Sequence, residues 1–232
     1  MKNKYTRRDS LKLMGSAVVG SQLVGRAQPL DALPLDAQTD GVRTVRSRSV
    51  DEDLRGIFVI MSTPYTESGA VHYDDLAFQV EWLDHAGAHG LVWPQNSSDY
   101  PRLTTDEIKR GMEVLTQANR GRSLTLVLGV QQDSTPEMVE LATFAERLEP
   151  DMMIAMPPKV GDSLEDYREY YSALAKVTSR PIMIQTSPNR PGLEFKTDFI
   201  LELASQYPNL GYVKEEVQPV FERIQALVGQ PQ

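Results

Sequence analysis

The stretch NLGYVKEEVQP, residues 209–219, sets Lys214 at the end of a short apolar run, with Glu215 and Glu216 directly after it. A lysine stem packs well against apolar neighbours, but its ammonium needs water, a partner or a chemical role. Burial disfavours the ammonium, and an amine that has lost its proton is a nucleophile. Other residue types narrow the chemistry further. There is no cysteine, which removes thiol catalysis, thiolate-bound metal and disulfides. His85 and His89 stand four apart in HAGAH. The glycine between them ends a helix, and no glutamate base accompanies them, so no metal site is expected. Tyr167, Tyr170 and Tyr171 have the spacing of helix packing.

The elements that must position Lys214 are legible from Gly56 onward. Short apolar runs recur at GIFVIMST, GLVWP, LTLVLGV, DMMIAM, PIMIQT and GYVK. They lack polar alternation, as expected of parallel strands buried on both faces. Amphipathic helices with clear starts lie between them. Thr104 with Glu107, Ser134 with Glu137 and Ser163 with Asp166 have capping-box spacing. Residues 56–229 thus read as six βα units. Each takes roughly 29 residues, close to the roughly 31 per unit of a (β/α)₈ barrel. An open doubly wound sheet is the alternative, but no glycine fingerprint follows the first strand. The expected fold class is α/β, a TIM (β/α)₈-type barrel with about six βα units present.

Charge divides the chain. Its formal net charge is −8. Residues 1–27 carry six lysines and arginines against Asp9 alone, a net +5, which leaves −13 for the remainder. An acidic body argues against nucleic acid and anionic membranes as partners. The segment TRRDSLKLMGSAVVGSQLVGRA, with Arg7 and Arg8 paired, resembles a twin-arginine export signal, although Ser10 stands where such signals often carry phenylalanine. We read residues 1–27 as that signal, 28–52 as a polar linker and 53–232 as the partial barrel. The expected location is periplasmic or otherwise exported.

The segments MSTPYTESGAVHYDDL, EWLDHAGAHGLVWP, RLTTDEIKR and YVKEE occur in this order and spacing. Together they resemble the dihydrodipicolinate synthase / N-acetylneuraminate lyase family of class I aldolases. The similarity covers about residues 56–229 and implies a TIM barrel with Lys214 as its Schiff-base lysine, at the C-terminal end of the sixth strand, where barrel enzymes place their chemistry. A neutral lysine attacks the carbonyl of a 2-oxo acid such as pyruvate. The resulting iminium is an electron sink for making or breaking a neighbouring C–C bond, so no cofactor is expected. The resemblance also implies carboxylate binding by Asn96 and Ser97, which stand in QNSSD where the family has two threonines, and by Arg190 in IMIQTSPNRPG.

Two departures weaken the match. Gln185 occupies the position of the family's proton-relay tyrosine, and an amide is no general acid or base near neutral pH. The tyrosine pair after the fourth strand is replaced by Pro158 and Lys159. Tyr65 and Tyr100 fall in loops on the same barrel face and are alternative phenols. Two functions follow: a 2-oxo-acid lyase of the aldolase type, or a non-catalytic barrel that binds a small molecule. The six-unit count leaves the first and sixth strands with one unpaired edge each, so an incomplete barrel or a homo-oligomer is expected.

Overall fold

The computed structural model describes residues 54–186 and 195–228. The signal-like segment 1–27, the linker 28–52 and Arg190 lie outside the described residues.

Each apolar run becomes a strand and each intervening amphipathic stretch a helix. The strands are β1 (Phe58–Ile60), β2 (Gly90–Trp93), β3 (Thr125–Gly129), β4 (Met152–Ala155), β5 (Ile182–Gln185) and β6 (Tyr212–Lys214). The helices are α1 (Tyr73–His85), α2 (Thr105–Ala118), α3 (Thr135–Glu146), α4 (Leu164–Val177), α5 (Thr197–Gln206) and α6 (Val220–Leu227). Short 3₁₀ turns cover Asn96–Ser98, Tyr100–Arg102 and Pro208–Leu210.

Local chemistry sets the helix starts. Thr104 and Glu107 form a reciprocal capping box, each side chain accepting the other's backbone N–H, and so do Ser163 and Asp166. The third expected box is not formed. Ser134 is the N-cap of α3, but its hydroxyl donates to the Glu137 carboxylate at 2.7 Å and accepts no backbone N–H. Helix α1 ends at His85, and Gly87 follows with a φ of 77°.

All six strands are parallel and lie in the order β1-β2-β3-β4-β5-β6. Every strand neighbours the one before it. Parallel crossovers are right-handed, so an unreversed order stacks every helix on the same face of the sheet. An open doubly wound sheet needs a reversal to cover its second face. None is present among the described strands, and the barrel-type reading holds.

The packing agrees. Alternate strand residues (Leu91, Trp93, Leu126, Leu128, Met153, Ile182 and Ile184) join the helices in one large core. The other parity (Val92, Val127, Met152 and Ile154, with Phe58, Ile60, Met183 and Tyr212 against them) forms a separate cluster on the inner face. The inner face is therefore filled by the strands' own side chains, as in a barrel interior. Each fully buried aliphatic or aromatic side chain contributes roughly 1.5–3 kcal/mol.

Candidate active site

The inner parity leads from the core to the site. Met183 and Tyr212 belong to the inner cluster and are register partners. Two residues further along each strand, Gln185 and Lys214 are also register partners. They therefore leave the sheet on the same inner face, side by side, at its C-terminal edge. Gln185 is buried, and Lys214 is about one-quarter exposed.

The two glutamates after Lys214 part company. Glu216, two positions on along an extended chain, returns to the side of Lys214. Its Oε1 pairs with Lys214 Nζ, and Gln185 Nε2 donates to its Oε2 at 2.7 Å. Glu216 thus bridges the lysine and the amide. Gln185 Oε1 is buried without a hydrogen-bond partner among the described residues. Glu215 turns the other way. Its Oε1 accepts from Thr186 Oγ1 at 2.6 Å and from the Val217 N–H at 2.8 Å. Its Oε2 lies 3.1 Å from Arg223 Nε, an ion pair without the alignment of a hydrogen bond. Arg223 Nη2 also donates to the Phe195 carbonyl. Thr186 completes the arrangement, because its Oγ1 accepts the Glu216 N–H at 2.7 Å. Glu215, Arg223 and Thr186 therefore hold the backbone that carries Lys214 and Glu216.

A second polar group occupies the same edge at β1–β3. Ser98 Oγ donates to the Met61 carbonyl at 2.6 Å and accepts the Gln95 N–H at 3.0 Å. Thr63 Oγ1 donates to the Ser98 carbonyl at 2.5 Å and accepts from Trp93 Nε1 at 3.0 Å. Gln95 Nε2 donates to Gln131 Oε1 at 3.0 Å, and Gln131 Nε2 donates to the Pro94 carbonyl at 2.8 Å. Gly129 makes room for this group. A Cβ there would lie 2.1 Å from the Pro94 carbonyl oxygen and 2.8 Å from Gln95 Nε2. Asn96 and Ser97, between Gln95 and Ser98, are exposed. They sit on the C-terminal edge after β2, while Gln185 and Lys214 sit at the ends of β5 and β6. The structure brings Gln185 to Lys214, and no contact between described side chains joins Asn96 or Ser97 to that pair.

The tyrosines sort by environment. Tyr167, Tyr170 and Tyr171 are fully buried packing residues, as their spacing predicts. Tyr171 donates to the Ala155 carbonyl at 3.0 Å, and Tyr170 accepts the Gln132 N–H at 3.1 Å. Burial raises the phenol pKa of both. Tyr100 is also raised, by burial first, against the opposing charge of Lys159. Lys159 lies over the Tyr100 ring at 5.6 Å and pairs with Asp133 at 2.7 Å. Tyr65 donates weakly to Asp99, at 3.4 Å. His89 is occupied structurally, since its Nδ1 accepts the Ile57 N–H at 3.0 Å. Among the described residues no group of three or more His, Cys, Asp or Glu side chains could hold a metal ion.

Sequence reasoning missed Glu216 and the Glu215–Arg223 pair. A signal was available for the first, since a Lys-x-Glu run leaving a strand places both charges on one side. Arg223 had none, because it arrives from the next helix.

The fold and this edge define a class: an all-parallel α/β barrel sheet whose lysine closes an inward-facing position on β6. Residues 53–230 match the model of the dihydrodipicolinate synthetase family, and the chain belongs to that family. It is 28% identical over 162 residues to the 4-hydroxy-tetrahydrodipicolinate synthase of Rhizobium meliloti (strain 1021), covering 69% of this chain and 55% of that protein. The corresponding enzyme of Phenylobacterium zucineum (strain HLK1) is 29% identical, over 72% of this chain and 56% of its own. The chain thus spans about half the length of the curated relatives it matches. Among solved structures, dihydrodipicolinate synthase from Aquifex aeolicus superposes with a TM-score of 0.70 at 25% identity, covering 76% of this chain and 60% of that one. N-acetylneuraminate lyase from Mycoplasma synoviae shares the fold, with a TM-score of 0.68 at 24% identity over 77% and 60% of the two chains.

Proposed function

We propose that the protein is a lyase of the 2-oxo-acid aldolase type, acting through a Schiff base between Lys214 and pyruvate or a related 2-oxo acid. The observation that carries this reading is the position of Lys214. It lies on the inner face at the C-terminal end of β6, in register with Gln185, within a chain of the dihydrodipicolinate synthetase family. The amine nitrogen attacks C2 of the 2-oxo acid, and the carbonyl π pair moves to oxygen. Loss of that oxygen as water leaves a protonated imine. The iminium then accepts the electron pair of a breaking bond at C3, or releases it to a new one. The lysine itself is the electron sink, so the reading requires neither metal nor organic cofactor. In this scheme Asn96, Ser97 and Arg190 orient the substrate carboxylate through hydrogen bonds and charge, and Gln185 hydrogen-bonds within the site.

The test is reduction with borohydride in the presence of pyruvate and of longer 2-oxo acids, followed by peptide mapping. The expected result is a reduced adduct on Lys214 that Lys214→Ala abolishes. An unmodified Lys214 across all the 2-oxo acids would overturn the reading. The second reading, a barrel that binds a small molecule without turnover, is favoured by the amide at position 185. It predicts a ligand-dependent rise in unfolding temperature that persists in Lys214→Ala, with no C–C cleavage or condensation in either form.

A further inference from the structure

We propose that Glu216 is a catalytic residue that carries the proton between the Lys214 amine and the oxygen lost from the 2-oxo acid. This rests on the reading of Lys214 as the imine-forming amine. Three observations place the proton carrier on Glu216. Its carboxylate touches Lys214 Nζ through one oxygen and receives Gln185 Nε2 at 2.7 Å through the other. Its backbone is fixed independently, because its N–H donates to Thr186 Oγ1, which is itself bonded to Glu215. The neighbouring strand offers only an amide at the registered position, and that amide cannot exchange protons in this pH range.

The pairing also fixes which end of Gln185 faces the carboxylate. A carboxylate only accepts, so the amide nitrogen is turned to Glu216. Gln185 Oε1 is left buried without a partner among the described residues. A buried acceptor beside an amine and a carboxylate suits a hydroxyl donor. The carbinolamine formed on Lys214 carries such a hydroxyl.

The steps balance as follows. Lys214 begins as the ammonium and Glu216 as the carboxylate. A proton passes from Nζ to Glu216, leaving a neutral amine and a carboxylic acid. The amine lone pair forms the bond to C2, and the carbonyl π electrons settle on oxygen. A second proton moves from nitrogen to that oxygen, giving a neutral carbinolamine. Glu216 then returns its proton to the hydroxyl. Water leaves with the C–O pair, and the nitrogen lone pair closes the C=N bond. The products are a protonated imine, water and the original carboxylate. No external oxidant, reductant or co-reactant enters.

The experiment measures the rate of adduct formation on Lys214 with pyruvate, at cyanoborohydride concentrations where that rate no longer depends on the reductant. Glu216→Gln keeps the size and one acceptor oxygen for Lys214, and its amide N–H can donate to Gln185 Oε1 once that amide turns over, but it holds no exchangeable acid proton. The expected result is a slowing of roughly 10²–10⁴-fold, the usual range for loss of a general acid–base group, with an unchanged unfolding temperature. Glu216→Ala should be slowed similarly and accelerated by added formate in proportion to its concentration. Labelling of Glu216→Gln at the unsubstituted rate would overturn the role of Glu216 while leaving the Lys214 reading intact. Slowing with a lowered unfolding temperature and no formate rescue would reduce Glu216 to a structural ion pair and also overturn it. Absence of any Lys214 adduct in the unsubstituted protein would overturn both readings together.

Discussion

The Glu215 carboxylate keeps only 2% of its side-chain surface exposed, and Arg223 keeps 14%. Taking such a pair out of water is costly, so its net contribution to stability is small, whereas removing one partner leaves a buried charge uncompensated. The pair also anchors the turn that presents Lys214 and Glu216, since Glu215 Oε1 holds Thr186 and Val217. Arg223→Met keeps the stem and removes the charge. It is expected to destabilise the protein by about 3–5 kcal/mol, read as a lower urea midpoint at an unchanged slope. The double variant Glu215→Leu with Arg223→Met should recover only part of that loss, because no charge then remains buried but the Thr186 hydroxyl and the Val217 N–H lose their acceptor. Additive losses in the two single variants and the double would show that the side chains act independently.

At the scale of the elements, the contact between α2 and β2 depends on an absent side chain. Gly111 lies in the interior of α2, where glycine ordinarily costs up to about 1 kcal/mol relative to alanine. The reason is Trp93, fully buried on the helix-facing side of β2. A Cβ at Gly111 would lie 2.3 Å from its ring. The indole cannot swing away freely, because Nε1 donates to Thr63 Oγ1 and so belongs to the polar group at the edge of the sheet. Gly111→Ala is therefore expected to lower stability by about 1–3 kcal/mol, despite its gain in helix propensity. Thermal unfolding checks the sign. The tryptophan emission should shift with it, since displacing Trp93 alters the hydrogen bond to Thr63.

At the scale of the whole molecule, the two ends of the sheet remain open among the described residues. Strand β1 pairs only with β2, and β6 only with β5. The helices at those ends expose apolar side chains: Phe78 and Trp82 on α1 at about 60%, and Phe221 on α6 at 68%. An unpaired strand edge beside uncovered apolar surface favours association with another chain. Each buried backbone group left unpaired costs about 1–3 kcal/mol, against a total domain stability of about 5–15 kcal/mol. The 232-residue chain is accordingly expected to elute in size exclusion as concentration-dependent assemblies. Phe78→Glu with Phe221→Glu should raise the monomer fraction. A monodisperse monomer of the unsubstituted chain with a sharp, reversible unfolding transition would contradict this.

Much of the fold was legible locally. The six apolar runs became the six strands, because burial on both faces of a parallel sheet leaves an uninterrupted apolar signature that needs no distant partner to be read. Thr104, Glu107, Ser163 and Asp166 marked helix starts for the same reason, since caps act within four residues. The place of Lys214 at the end of β6 followed from its run. The site around it did not. Gln185 meets Lys214 through strand register, which pairs residues 29 positions apart. Arg223 reaches Glu215 from α6, and Glu216 faces the site while Glu215 turns from it. Ser134 had the spacing of a capping box and still bonded differently. Residue type and periodicity are properties of the chain, so the sequence alone determined the elements and the candidate nucleophile. Register, side-chain direction and the partner of each buried charge arise from contacts distant in sequence, and only the tertiary structure decided them.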